Sequence, residues 1–249
     1  MLTNKDIFKK KPLVIIGPCA IESSKQLEMI AKEIAKRKLS FIRAGIFKLR
    51  TKYPSFQGLG KSGFSLLSRV CQKYNLKSVS EITSSEQLDF FKKYIDIIQV
   101  GTRNMFNYEL LKALSKVKKP IILKRGFSAT IEEFIEASKY LSSKNKNIIL
   151  CLRGIRTFEY GNSCFRNTPD LASILELKEK TDWPIIFDPS HATGDSKFVL
   201  PVSRAALSLG ADGLLIETHN NPKKAFCDGQ QSIDIKQIDD LLDLIGYKL

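Results

Sequence analysis

This sequence predicts a single-domain α/β protein folded as a (β/α)8 TIM barrel, on three observations. Eight short β-rich runs alternate with eight stretches of helical spacing. The runs are apolar at successive positions, as parallel strands buried on both faces must be. At about 30 residues per β/α unit, eight units need about 250 residues, and the 249-residue chain leaves no length for a second domain. The same alternation also permits an open, doubly wound sheet.

Taken in order, the first run is LVIIG at 13–17, and SSKQLEMIAKEIAKR at 23–37 follows it with apolar residues at helical intervals. FIRAGIF at 41–47 precedes the helical KSGFSLLSRVCQKYN at 61–75, and KSVSEI at 77–82 precedes SSEQLDFFKKY at 84–94. IDIIQVG at 95–101 leads into NYELLKALSKV at 107–117. PIILKRG at 120–126 leads into TIEEFIEASKYLSS at 130–143, where Thr130 and Glu133 have the spacing of a capping box. NIILCLRG at 147–154 is followed by DLASILELKEKT at 170–181, and WPIIFDPS at 183–190 by PVSRAALSLG at 201–210. GLLIETH at 213–219 and the helical DIKQIDDLLDLIGYK at 234–248 complete the eighth unit. Several helical stretches open on Ser, Thr, Asn or Asp, which can accept hydrogen bonds from the first backbone donors. Residues 1–12 read as an N-terminal extension and 13–249 as the barrel.

Lys and Arg outnumber Asp and Glu by 40 to 26, a net charge of +14. Such a balance favours an anionic partner: nucleic acid, a membrane surface or a phosphorylated substrate. The densest basic run, Lys9-Lys10-Lys11, is too short for a nucleic-acid tail, and the other basic residues are dispersed. The five cysteines, Cys19, Cys71, Cys151, Cys164 and Cys227, are odd in number and lack CxxC spacing, which points to a reducing, cytoplasmic setting. The opening MLTNKDIFKKKPLVII does not resemble a signal peptide, and no window approaches the roughly 18 apolar residues of a membrane span.

In a TIM barrel, chemistry sits where strands end and enter the βα loops. The polar residues at those places are Cys19 after the first run, Arg43, Lys48, Arg50 and Thr51 at the second, and Glu81 and Arg103 at the third and fourth. Lys124 and Arg153 follow at the fifth and sixth, Asp188 and His191 at the seventh, and Glu217, His219 and Asp228 at the eighth. A thiol, an imidazole and two carboxylates can hold a divalent metal, and this mixed donor set suits Zn, Fe, Mn or Co better than Mg. Cys19, His191, Glu217 and Asp228 are the four chosen. Bland alternatives stay open: Cys19 as a buried apolar residue, and Asp228-Gly as a turn. His191 is placed in a turn-rich Asp-Pro-Ser-His-Ala-Thr-Gly loop, and His219 is read as a solvated loop residue. The basic set (Arg43, Lys48, Arg50, Arg103, Lys124 and Arg153) would repel itself unless an anion sat within it, which suggests a small substrate with more than one anionic group.

Several long motifs stand in order: GPCAIE at 17–22, KLRT at 48–51 continuing to SFQGLG at 55–60, QVGTRNM at 99–105, LKRG at 123–126, RGIRTFE at 153–159, DPSHATG at 188–194, and ADG at 211–213 through DGQQ at 228–231. On these residues the chain resembles 3-deoxy-D-arabino-heptulosonate 7-phosphate (DAHP) synthases of the short type, which are related to 3-deoxy-D-manno-octulosonate 8-phosphate synthases. The resemblance spans about Leu13 to Ile233. It implies a condensation of phosphoenolpyruvate with erythrose 4-phosphate, the first step of the shikimate pathway, assisted by one divalent metal ion held by Cys19, His191, Glu217 and Asp228. It further implies that Arg43, Arg103, Lys124 and Arg153 hold phosphoenolpyruvate, that Lys48 is a proton donor, and that Glu81 orients a water. Arg50 and Thr51 would fix the aldose phosphate.

Two positions depart from the family pattern. Leu49 stands where proline is common, which leaves that loop less stiff. Leu152 stands where glutamate is common, which removes a carboxylate expected to tune the site. The short Lys48-Leu49-Arg50-Thr51 form favours the four-carbon aldose over arabinose 5-phosphate, the substrate of the octulosonate relatives. The length leaves no room for the regulatory or chorismate mutase modules of some family members, so no built-in feedback inhibition is expected. A homotetramer or dimer is expected, without a nucleic-acid or membrane partner. The rival readings are an octulosonate synthase, a Schiff-base aldolase using Lys124, a nucleic-acid-binding protein and a catalytically degenerate barrel.

Overall fold

The computed structural model describes residues 2–10, 12–50, 53–158 and 166–247. Eight parallel strands run β1 (Leu13–Gly17), β2 (Phe41–Arg43), β3 (Lys77–Ile82), β4 (Ile97–Val100), β5 (Ile121–Lys124), β6 (Ile148–Leu152), β7 (Ile185–Phe187) and β8 (Gly213–His219). Each pairs with the next, and β8 returns to β1 over five residue pairs from Leu13 with Gly213 to Gly17 with Glu217, so the sheet closes. The open-sheet alternative is thereby excluded. A two-residue strand, β9 (Ile233–Asp234), adds to the upper end of β8.

The helices are α1 (Asn4–Ile7), α2 (Ser24–Lys36), α3 (Ser62–Tyr74), α4 (Leu88–Tyr94), α5 (Tyr108–Ser115), α6 (Ile131–Ser142), α7 (Ser173–Lys180), α8 (Pro189–Thr193), α9 (Ser196–Ser208) and α10 (Ile238–Leu244). The Thr130 side chain accepts from Glu133 N while Glu133 accepts from Thr130 N, the capping box its spacing indicated. Two segments differ from the sequence reading. The Asp-Pro-Ser-His-Ala-Thr-Gly stretch is not a loop but the helix α8: Asp188 caps it, Pro189 opens it, and Gly194 closes it with φ 75°. Helix α9 begins five residues before Pro201 and carries that proline inside its second turn.

Strand side chains alternate between two cores. Val14, Ile16, Ile42, Ile98, Leu123, Leu150, Phe187 and Ile216 belong to the large core that also contains the apolar faces of the helices. Ile15, Phe41, Val79, Ile97, Ile122, Cys151, Ile186 and Leu215 form a separate cluster that fills the barrel. Ile7 of α1, with 2% of its surface exposed, joins this inner cluster, and Asn4 bonds Asn147 and Ile148 across the chain. The helix thus closes the lower end. Leu152 falls in the outer core, on the opposite strand face from its neighbour Arg153. Its replacement of a carboxylate therefore changes the sheet–helix layer, not the mouth where the sequence reading had placed its effect.

Candidate active site

The inner cluster fixes where the site lies. Two residues beyond Ile15, Phe41, Val79, Ile97, Ile122, Cys151, Ile186 and Leu215, the same strand face carries Gly17, Arg43, Glu81, Gln99, Lys124, Arg153, Asp188 and Glu217. One step along the period-2 repeat turns an apolar layer into a polar one. This layer underlies a cavity of about 210 Å³ lined by residues that include Lys48, Arg50, Glu81, Arg103, Lys124, Arg153, His191 and Asp228. Thr51 lies outside the described residues.

At one side of the mouth, ligand atoms of Cys19, Glu217 and Asp228 lie within 4.8 Å of one another, a spacing that can hold a metal ion. His191 Nε2 is 3.5 Å from Glu217 Oε1, while its Nδ1 is 2.8 Å from Asp188 Oδ2. A carboxylate on one ring nitrogen orients the other towards the donor group, an arrangement typical of metal-binding histidines. Burial lowers the His191 pKa to about 4 against the pull of Asp188 and Glu217, so the imidazole is neutral near pH 7. Burial opposes ionisation of Glu217, but His191 and Arg43 overcome it and bring its pKa to about 2. Burial likewise disfavours the Asp228 carboxylate and is outweighed by Lys48, which holds its pKa below the ordinary range.

Lys48 reports the character of this cluster. Its ammonium donates to Cys19 Sγ at 2.6 Å and to Asp228 Oδ2 at 2.8 Å, so a cation already bridges two of the donors. Cys19 also donates to Asp228 Oδ2 at 3.0 Å. Burial, hydrogen bonding with Cys227 and the charge of Glu217 push the Cys19 thiol well above its ordinary pKa, with Lys48 opposing them. Asp228 has φ 52°, a left-handed conformation that Asp tolerates better than most residues. The turn reading of Asp228-Gly and its position among the donors therefore hold together. Soft sulfur, neutral imidazole and two carboxylates, buried and already attracting a cation, fit a divalent transition metal.

The basic set divides. Arg43 donates to Glu217 Oε1 at 2.7 Å and to the Cys19 carbonyl at 3.3 Å, Lys124 is paired with Asp188, and Lys48 with Asp228. Carboxylates within the site pair with each of these three. Arg153 differs. It is 2% exposed and its Nη1 has no hydrogen-bond partner. Burial lowers its pKa to about 10, Asp188 opposes that shift, and Arg166 and Arg103 add to it. A buried guanidinium with an unsatisfied donor at a cavity wall is suited to grip an anion. Glu81 faces the same cavity and accepts from Gln99 at 3.0 Å; at Gly101, a Cβ would come within 2.0 Å of Glu81 Oε1.

The sequence profile of the DAHP synthetase I family matches residues 5–246, nearly the whole chain. The chain belongs to this family. It is 39% identical over 244 residues to the phospho-2-dehydro-3-deoxyheptonate aldolase of Thermotoga maritima, covering 95% of this chain and 71% of that protein. It is also 31% identical over 259 residues to the 2-dehydro-3-deoxyphosphooctonate aldolase of Fusobacterium nucleatum, covering 95% and 90%. The crystal structure of the Thermotoga maritima DAHP synthase superposes with a TM-score of 0.89 over 94% of this chain and 67% of that one, at 39% identity. A truncated form of the 3-deoxy-D-arabino-heptulosonate 7-phosphate synthase from the same organism gives 0.83 at 37% identity, over 94% and 88%.

Within this DAHP synthetase I barrel, other residues complete the site that sequence reasoning left without a role. Gln231 donates to Glu217 Oε2 at 2.5 Å and accepts from Arg166 at 2.6 Å, and Arg166 also reaches Asp228 Oδ1 at 3.3 Å. Gln231 thus braces two of the carboxylate donors through side chains that lie beyond β8 and beside α8. Glu22 of the GPCAIE motif accepts from Phe226 N at 2.8 Å, which ties the loop carrying Asp228 to the loop after β1. Its other oxygen is 3.3 Å from His219 Nε2. His219 is accordingly a buried strand residue, 5% exposed, not the solvated loop residue expected. The strand continues two residues past Glu217, and the buried ring accepts from Asn221 N at Nδ1, at 2.9 Å, while Nε2 faces Glu22 without a hydrogen bond. Gln231 and Glu22 each stand inside a motif, DGQQ and GPCAIE, which is the signal that could have found them.

Proposed function

We propose that this chain condenses phosphoenolpyruvate with erythrose 4-phosphate to give 3-deoxy-D-arabino-heptulosonate 7-phosphate and phosphate, the first step of the shikimate pathway. One observation carries the reading: a metal-capable group of Cys19, Glu217 and Asp228 adjoins a cationic cavity whose buried Arg153 keeps an unused donor. The family and the 39% identical heptonate aldolase supply the reaction. The greater identity to that relative than to the octulosonate aldolases, together with the short Lys48-Leu49-Arg50-Thr51 loop, supports the four-carbon aldose.

Arg103, Lys124 and Arg153, with Arg43 beneath them, receive the carboxylate and phosphate of phosphoenolpyruvate. Arg50 and Thr51 receive the phosphate of the aldose and set its aldehyde beside the enol carbon. A carbon–carbon bond forms between these two, and Lys48 gives a proton to the aldehyde oxygen. Glu81 orients the water that adds to the phosphate-bearing carbon, after which the carbon–oxygen bond to phosphate breaks. A divalent ion held by Cys19, His191, Glu217 and Asp228 supplies Lewis-acid polarisation of the aldehyde when bound. The residues from 13 onward form the catalytic unit, with 1–12 as its extension. A cytoplasmic homodimer or homotetramer completes the reading; among the described residues, no helix is long and apolar enough to cross a membrane.

The test is phosphate release from phosphoenolpyruvate by chelator-treated protein, with erythrose 4-phosphate or arabinose 5-phosphate, before and after adding Mn²⁺. Metal-dependent release with erythrose 4-phosphate alone is the expected result. Preference for arabinose 5-phosphate would transfer the chain to the octulosonate reaction, and no release in any mixture would overturn the assignment. The Cys19→Ala variant is expected to lose both metal retention and turnover.

A further inference from the structure

Phe127, three residues beyond β5, forms part of the cavity wall. Three guanidinium carbons lie close to its ring: Arg156 at 4.2 Å, Arg153 at 4.9 Å and Arg103 at 5.6 Å from the centroid. Arg103 belongs to the short turn after β4, whereas Arg153 and Arg156 follow β6. The Phe127 carbonyl accepts from Arg156 N at 2.8 Å, so the backbone fixes the ring in register with the loop that carries two of the three cations.

An aromatic face attracts cations through its quadrupole when they lie within about 6 Å of the centroid. It does so without taking up an N–H donor. A carboxylate acts differently: those paired with Arg43, Lys48 and Lys124 each occupy hydrogen-bonding capacity and add a full negative charge. Beside an anion site, such a charge would repel the ligand. Arg153, buried and with Nη1 unpartnered, is held near its neighbours in a way that leaves a donor for the ligand.

We propose that Phe127 is a positioning residue, a cation–π pedestal that gathers Arg103, Arg153 and Arg156 beside the cavity and holds Arg153 without taking up its unpartnered Nη1, which is kept for the phosphate group of an anionic small molecule. The inference rests on the reading of this cavity as the phosphoenolpyruvate site. Its contribution is specific to that anion, since the cations described at its ring are Arg103, Arg153 and Arg156, and the aldose phosphate is assigned to other residues.

The experiment measures binding of inorganic phosphate and of phosphoenolpyruvate by calorimetry, at fixed ionic strength, to the Mn²⁺-loaded protein and its Phe127→Leu and Phe127→Tyr variants, with steady-state kinetics alongside. Phe127→Leu keeps an apolar side chain but removes the quadrupole. It is expected to weaken both ligands about tenfold and to raise the phosphoenolpyruvate KM by a similar factor, with kcat and the aldose KM changed less than about threefold. Phe127→Tyr, which keeps the ring, is expected to stay within about twofold of the parent. Unchanged affinity in Phe127→Leu overturns the proposal, as does an equal loss in both variants or a fall in kcat without a change in affinity. Should Phe127→Leu not fold, Phe127→Met provides the same comparison with a more adaptable side chain. Anion binding that depends on the ring, in a protein that turns over neither aldose phosphate, would uphold the pedestal while refuting the proposed reaction.

Discussion

Lys48 and the metal-capable donors compete for the same charge. Its ammonium sits between Cys19 Sγ and Asp228 Oδ2, so a divalent cation accepted by those donors meets a like charge at contact distance. Replacing the lysine by an uncharged chain of similar length separates its two effects. Lys48→Met is expected to bind Mn²⁺ several-fold more tightly while turnover falls by about 10² or more. Metal titration and kcat on the same preparation test this, and weaker metal binding would remove the competition from the account. Gln231 is a second residue with a separable role. Gln231→Leu leaves Glu217 without a donor at Oε2 and Arg166 without its closest acceptor. A ten- to hundredfold loss of metal affinity is expected, of the order found for residues that orient ligands; unchanged affinity would make the glutamine a packing residue only.

At the scale of elements, the short helix α8 joins the metal-capable group to the basic wall of the cavity. Asp188 ends the inward face of β7, caps the helix through His191 N, orients the His191 ring and pairs with the buried Lys124. Burial opposes its ionisation, but His191 and Lys124 hold its pKa well below the ordinary value. A carboxylate whose folded-state pKa is depressed stabilises the fold above its unfolded pKa of about 3.9 and loses that contribution as pH falls towards the folded value. Asp188→Asn retains a capping side chain but leaves Lys124 without its counter-charge. A loss of about 3 kcal/mol is expected at pH 7, shrinking as pH drops below about 4. Denaturant melts at pH 7 and pH 3 measure the difference, and a gap independent of pH would contradict the assignment.

For the whole molecule, closure of the barrel depends on a floor as well as on eight strands. Ile7 reaches the inner cluster from α1, while Asn4 joins that helix to the start of β6. An Ile7→Asp substitution would bury an unpaired charge beneath the inner core, and a stability loss of about 3 kcal/mol or more is expected. The cavity lies at the opposite end of the strands. Phosphoenolpyruvate KM, measured well below the lowered melting temperature, is therefore expected to stay within about twofold of the parent. A large KM change would show that the floor and the mouth are coupled through the barrel interior.

The amino-acid sequence by itself determined the eightfold alternation of strands and helices and the addresses of the chemistry, while the pairing of β8 with β1 decided that the sheet closes. Eight apolar runs set the strands, and the two-residue repeat along each one makes Arg43, Glu81, Lys124, Arg153 and Glu217 face inward two positions past an apolar neighbour. The same repeat points Leu152 away from the mouth, although its place beside Arg153 in the chain suggested otherwise. Pairings across the mouth were decided only by tertiary structure. Closing β8 on β1 brings Glu217 to Arg43, and folding the last loop back brings Asp228 to Lys48, at separations of 174 and 180 residues. The burial of His219 against Glu22 and the gathering of three arginines on Phe127 have the same origin. A local repeat fixes which way a side chain points because the backbone geometry is local; which charge it meets depends on how distant loops converge, and no spacing within one segment encodes that.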